Sequence, residues 1–217
     1  MTLPRPIVII GCGGHGREVF GLIRDINQAA ADGPVWRVLG FVDDKPSAVN
    51  RERVLRLGAD YLGPIDWLPE VAGSAHAVVA VNDPPARRQI DARLQAIGMP
   101  VGNLIHPTAV VGPDLVHGDG LVLFAGSRVT TNIVFGRHVH LNLNVTVGHD
   151  CVFGDVVSVN PLAAVSGTCH IGSGVLIGTT AAILQGLTVG DDATVGAGAC
   201  VVRDVPAGTV VKGVPAR

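Results

Sequence analysis

From Ile105 to Val201 an apolar residue returns every six positions, through Val111, Leu123, Val129, Phe135, Leu141, Val147, Phe153, Val159 and onward, with His117 as the one exception. Four places after each member comes a second series, Ala109, Leu115, Leu121, Ser127, Ile133 and so on to Val205, every one small or apolar. A helix repeats every 3.6 residues and a simple strand every two, so neither produces this rhythm; a hexapeptide β-helix does. Three hexads then make one triangular coil of 18 residues, and the segment supplies roughly five to six coils stacked about 4.8 Å apart. Glycine often follows the first apolar position, as at Gly112, Gly136, Gly148, Gly154 and Gly172, where a tight corner would ask for a residue without a Cβ.

The first hundred residues follow a different grammar. Pro6 to Ile10 predicts a buried strand, Gly11-Cys-Gly-Gly-His-Gly16 a glycine turn, and Arg17 to about Ala30 a helix. Arg37 to Val42 predicts a second strand ending in Asp43-Asp44-Lys45-Pro46. His76 to Val81 predicts another strand, followed by a helix from Pro84 to about Ile97. Strands alternating with helices imply a small parallel α/β domain of Rossmann-like type. The expected division is 1–102 and 103–217, because Gly98-Met-Pro100 breaks the last helix just before the hexads begin.

Composition narrows the function classes. A net charge of -2 gives no electrostatic footprint for nucleic acid or a membrane surface. No apolar run approaches the ~18 residues of a membrane span and no secretory leader opens the chain, so a cytoplasmic protein is expected. Cys12, Cys151, Cys169 and Cys200 are too widely spaced for a disulfide framework or zinc pairs; Cys151 and Cys169, one coil apart, should stack as reduced core thiols. The histidines lack a metal-binding spacing and no metal is expected.

Gly11, Gly13 and Gly16 match GxGxxG between a strand and a helix. Such a turn lets backbone approach phosphate oxygens at a helix N-terminus, which suits NAD or a nucleotide-linked sugar, while plain packing is the structural alternative. His15 inside the loop favours a ligand.

The GxGGHG start, the strand ending in Asp-Asp-Lys-Pro, the β-helix and the terminal Gly213-Val-Pro-Ala-Arg217 together resemble the NeuD-like family of sugar acyltransferases. Within it, the resemblance is to bacterial N-acetyltransferases of nucleotide-linked 4-amino-4,6-dideoxysugars. The resemblance implies a left-handed hand for the parallel β-helix, a homotrimer with active sites between subunits, and acetyl-CoA lying between neighbouring β-helices. It implies nucleotide-sugar contacts at Gly13, Gly14, His15, Asp43, Asp44 and Lys45, with Asn142 near the substrate. It places CoA contacts at Gly167, Thr179 and Ala197, and at Ser158, where relatives often carry a histidine. It assigns His149 in Val147-Gly-His-Asp-Cys151 as the catalytic base and Asp150 as its partner.

That assignment suits the chemistry, since an amine attacking a thioester must shed a proton and imidazole titrates near the working pH. One coil before and after His149 stand Thr131 and Gly167, and the bare glycine suggests room for a thin pantetheine arm. His138 and His140 are expected along the trimer seam, and His106, His117 and His170 as solvated turn residues. The expected activity is acetyl transfer from acetyl-CoA to the 4-amino group of a nucleotide-linked deoxyaminosugar. A sialic acid-type O-acetyltransferase and a non-catalytic nucleotide-sugar-binding trimer are the alternatives.

Overall fold

The computed structural model describes residues 3–217. The chain divides into two compact units, one ending at Leu104 and the other running Ile105–Arg217.

The first unit is a parallel sheet of β1 (Arg5–Ile10), β2 (Trp36–Val42), β3 (Tyr61–Gly63) and β4 (His76–Val79) in the order β3-β2-β1-β4. This is the leading half of a doubly wound order, with the carboxyl ends of the strands along one edge where such folds hold ligands. Helix α1 (Gly14–Ala29) buries Val19, Leu22 and Ile23 along one stripe. Helix α3 (Pro84–Ala96) opens with Pro at its first position and with Asp83 accepting the Ala86 N–H at 3.0 Å. Between them lies α2 (Ala48–Arg56), which the sequence reading did not anticipate. Its signal was present in Ser47, whose hydroxyl caps the helix by accepting the Asn50 N–H.

Two local readings are corrected. Helix α1 begins at Gly14 rather than Arg17, so His15 belongs to the first helical turn and pairs with Glu18 at 3.4 Å instead of projecting from a loop. The strand expected to reach Val81 ends at Val79.

The second unit is a left-handed parallel β-helix. Its two- and three-residue strands stack into three parallel sheets in which partners stand 18 residues apart, for example Phe135 on Phe153, Val147 on Val165 and Val159 on Ile177. The six-residue series points inward and forms one continuous core from Leu121 to Val205. Each fully buried Val, Ile or Leu in it contributes on the order of 1.5–3 kcal/mol. Ile105 and Val111 remain 38% exposed, because the first coil has a coil neighbour on one side only. At the other end the C-terminal segment folds back, the Ala216 N–H donating to the Cys200 carbonyl at 2.7 Å, and Ala216 is buried against the last coil.

The corners differ from the expectation. Every sixth residue from Asp114 to Gly198 has φ between +54° and +78°, and these left-handed positions come two places after the glycines assigned to the corners. They hold Asp114, Asn132, Asn144 and Asp150, but also Val156, Leu162, Thr168 and Thr180. L-residues pay roughly 1–2 kcal/mol for this conformation. The stack imposes it: corner N–H groups donate to the coil below, Asp150 to Thr131, Val156 to Arg137, Leu162 to Leu143 and Thr168 to His149, at 2.7 to 3.1 Å. Gly148 serves another purpose. A Cβ there would stand 2.5 Å from the Gly167 backbone nitrogen, so the glycine permits close approach of successive coils.

Candidate active site

Two groups of functional side chains form, one within each unit.

In the β-helix, His149 and Asp150 occupy an exposed corner. His149 Nδ1 lies 2.6 Å from Asp150 Oδ2, and the Asn132 side-chain amide, one coil below, donates to Asp150 Oδ1 at 2.6 Å. The Asn132 amide, and then His149, hold the Asp150 carboxyl below the usual carboxylate range. Ionised, that carboxylate only accepts, so Nδ1 carries the proton and Nε2 presents a lone pair. This is the arrangement of an imidazole ready to take a proton, with an anion behind it to stabilise the cation that forms.

Gly167 stands over this corner, but the space it leaves is filled from within. A Cβ at Gly167 would come within 2.7 Å of His149 Cε1 and Nε2. The glycine therefore makes room for the imidazole itself, which corrects the expectation of a pantetheine slot above it.

In the first unit, the carboxyl edge of the sheet carries a cavity of about 320 Å³ whose walls include Gly11, Asp43, Asp44, Lys45, Gln89 and Arg93. Asp43 braces the two loops around it: its carboxylate accepts the Cys12 N–H at 2.8 Å and the Lys45 N–H at 2.9 Å. Asp44 accepts the Ile65 N–H at 2.8 Å and the Arg93 guanidinium at 2.8 Å, while the other arm of Arg93 reaches Asp66 at 2.7 Å. Burial raises the Asp44 carboxyl, but the Ile65 amide and Arg93 outweigh it and leave the group lower than usual. Arg93 was missed in the sequence because it is 49 residues from Asp44 with no periodic relation to it.

The glycine motif separates by position. A Cβ on Gly16 would run into the Gly11 carbonyl, so Gly16 is required for packing the helix onto the turn. Gly13 faces open space and Gly14 is exposed, with the Arg17 guanidinium 4.0 Å from where its Cβ would stand, which leaves backbone accessible at the start of α1. Gly13, Gly14 and His15 do not line the cavity that holds Asp43 to Lys45.

Of the remaining expected contacts, Thr179 and Ala197 are exposed and Gly167 partly so. Ser158 is fully buried and offers no surface to a ligand. Asn142 is also buried, its amide donating to the Val159 carbonyl at 3.1 Å, which is the laddering role open to an inward asparagine. His138 and His140 are completely buried within the single chain, so neither lines a seam with another subunit.

Cys12 supplies a check on the first unit. Burial, reinforced by the neighbouring Asp43 carboxylate, pushes its thiol up to about 11. Because the thiolate is the reactive form, Cys12 should resist alkylation in the native protein at neutral pH and react only on unfolding. Peptide mapping by mass spectrometry after iodoacetamide treatment reads this, and rapid native labelling of Cys12 would contradict the packing described.

Comparison with known proteins agrees with this architecture. Residues 6–94 match the family described as the PglD N-terminal domain. The chain is 32% identical over 146 residues to GDP-perosamine N-acetyltransferase from Escherichia coli O157:H7, an alignment covering 66% of this chain and 62% of that protein's length. Among solved structures it resembles the acetyltransferase domain of PglB from Neisseria gonorrhoeae FA1090 in complex with acetyl coenzyme A, at 34% identity and a TM-score of 0.87 over 99% of each chain. It also resembles a histidine-to-asparagine variant of perosamine N-acetyltransferase from Caulobacter crescentus in complex with CoA and GDP-perosamine, at 30% identity and a TM-score of 0.86, covering 98% of this chain and 95% of that one. With an α/β unit followed by a hexapeptide β-helix, and relatives at 30% identity or more matching along nearly the whole chain, the protein belongs to the NeuD-like family of sugar acyltransferases.

Proposed function

We propose that the protein transfers an acetyl group from acetyl-CoA to the 4-amino group of a nucleotide-linked 4-amino-4,6-dideoxysugar. The observation that carries the reading is the exposed His149–Asp150 pair, with its tautomer set by an ionised carboxylate. The thioester of acetyl-CoA supplies an activated acyl carbon. His149 Nε2 takes the proton that the sugar amine loses as its nitrogen bonds to that carbon, and Asp150 stabilises the resulting imidazolium. His149 then returns the proton to the departing CoA sulfur, leaving an amide and a free thiol, so no acyl-enzyme is needed.

Residues 1–102 form the nucleotide-sugar-binding domain in this reading and 103–217 the acyltransferase domain. The cavity at Asp43, Asp44 and Lys45, with the open backbone of Gly13 and Gly14 nearby in the same unit, suits a polar nucleotide. The reading includes homotrimeric assembly with active sites between subunits, as the family resemblance implies. In its support, Thr179 and Ala197 stack on one another at a different corner of the triangular section from His149 and are exposed, so a second copy could bring such a corner beside His149. Both substrates are cytoplasmic metabolites, and the reading places the protein there.

The test is release of CoA thiol from acetyl-CoA with GDP-, UDP- and dTDP-linked 4-amino-4,6-dideoxysugars as acceptors and sialic acid as the hydroxyl control. GDP-perosamine is the first acceptor to try, given the relatives named above. Turnover on an amino sugar and none on sialic acid is the expected result. Turnover only on the hydroxyl would make the protein an O-acetyltransferase, and binding of the amino sugars without turnover would make it a non-catalytic sugar-nucleotide binder.

A further inference from the structure

We infer that Asn132 is a positioning residue for the His149–Asp150 pair, fixing the Asp150 carboxylate so that the imidazole keeps one orientation and one tautomer. The inference rests on His149 acting as the base.

The geometry divides one carboxylate between two partners. Oδ2 faces His149 Nδ1 and Oδ1 receives the Asn132 amide, each at 2.6 Å. A carboxylate tethered through a single oxygen can rotate about its Cβ–Cγ bond and carry the imidazole with it. A second hydrogen bond on the other oxygen defines its plane. Restraint matters at this corner, because the side chains of His149 and Asp150 are 61% and 46% exposed and packing alone holds them weakly.

An exposed neutral hydrogen bond would contribute little net stability. Two features favour this one. Its acceptor is a carboxylate, and charge-assisted hydrogen bonds are shorter and roughly twice as strong as neutral ones. Its two ends also have little freedom to lose: Asn132 and Asp150 are short side chains in the same corner column, one coil apart, at φ +56° and +59°. The coil-to-coil bond from the Asp150 N–H to the Thr131 carbonyl, at 3.1 Å, fixes their separation.

A donor on Oδ1 has an electrostatic effect as well. By accepting from Asn132, Asp150 becomes a weaker base, so the Nδ1 proton stays on the imidazole while the proton taken up at Nε2 goes on to the leaving group.

The decisive variant is Asn132→Gly. Glycine is the occupant of other corners in this β-helix, Gly120, Gly126 and Gly186 among them, so it suits the left-handed backbone and removes only the amide. The protein carrying Asn132→Gly should show kcat reduced about tenfold or more, the scale of a misplaced catalytic group. KM for both substrates and the thermal midpoint should stay near wild type. In a His149→Ala background the same change should have no further effect, since there is then nothing to position. An unchanged kcat in Asn132→Gly, a loss confined to KM, or a tenfold loss that persists on top of His149→Ala would each overturn the inference. If His149→Ala alone retained the wild-type rate, the assignment of the base would fall first, so the two failures are distinguishable.

Discussion

His149→Ala should lower kcat by about 10²-fold or more, the usual contribution of a positioned general base. The variant should fold normally, because the side chain is exposed and its ring lies over the bare backbone of Gly167. Nucleotide-sugar affinity, measured by calorimetry, should change little. The cavity assigned to the nucleotide belongs to the α/β unit, where Asp43, Asp44 and Arg93 take their hydrogen-bond partners from within that unit. The effect therefore belongs in the chemical step, and a loss confined to KM would mean that His149 only holds substrate. A wild-type kcat would remove His149 from the mechanism.

The largest effect on stability is expected from Phe153→Ala. Phe135 and Phe153 come from successive coils and meet edge to face inside the β-helix, with ring centroids 5.0 Å apart and an interplanar angle of 87°. Both are buried to within 2%. Truncating a buried phenylalanine typically costs about 3–5 kcal/mol, with the high end reached where the surroundings cannot collapse into the gap. Collapse is restricted here because the coils on either side are spaced by backbone hydrogen bonds, Val134 N–H to the Cys151 carbonyl and Gly136 N–H to the Phe153 carbonyl. In a solenoid each coil is stabilised mainly by its neighbours, so the lost contact weakens one interface in the middle of the stack. Thermal or denaturant unfolding should show a midpoint lower by roughly 10 °C. A change below about 1 kcal/mol would mean that this part of the core is loosely packed.

The inward face of the β-helix was legible because one requirement, an apolar side chain of limited size, repeats at every sixth position and writes itself directly into the residue types. The corners were not, and the reason lies in who enforces them. Left-handed backbone at Val156, Leu162 and Thr168 is imposed by bonds from the neighbouring coil rather than chosen by local preference, so those positions carry mixed residues while the conspicuous glycines mark close approach. In the α/β unit, the strands and helices with strong apolar patterns were recognisable to within a few residues. Helix α2 was passed over because Val54 is its one buried residue and its helical stripe is correspondingly faint.

The chemistry followed the same division. His149 and Asp150 are adjacent in sequence and could be read together. Asn132 needed only the eighteen-residue coil to be applied once more, from Asp150 downward. Arg93 had no such rule to reveal it. It meets Asp44 because α3 and the end of β2 converge at one edge of the sheet, and only the fold states that.

The left-handed corners also limit how this chain can change in length. One residue added inside a coil would turn every following inward side chain outward and move a forced left-handed backbone onto a position that lacks the neighbouring carbonyl to hold it. Alterations that keep the inward rows inward and the corners left-handed must come in multiples of six residues, or bulge outward at a corner without entering the register. A gene for this β-helix should therefore accumulate substitutions freely on its outer rows while its insertions and deletions arrive in hexad-sized steps, and eighteen codons is the smallest length change that also returns every following side chain to the same side of the triangle.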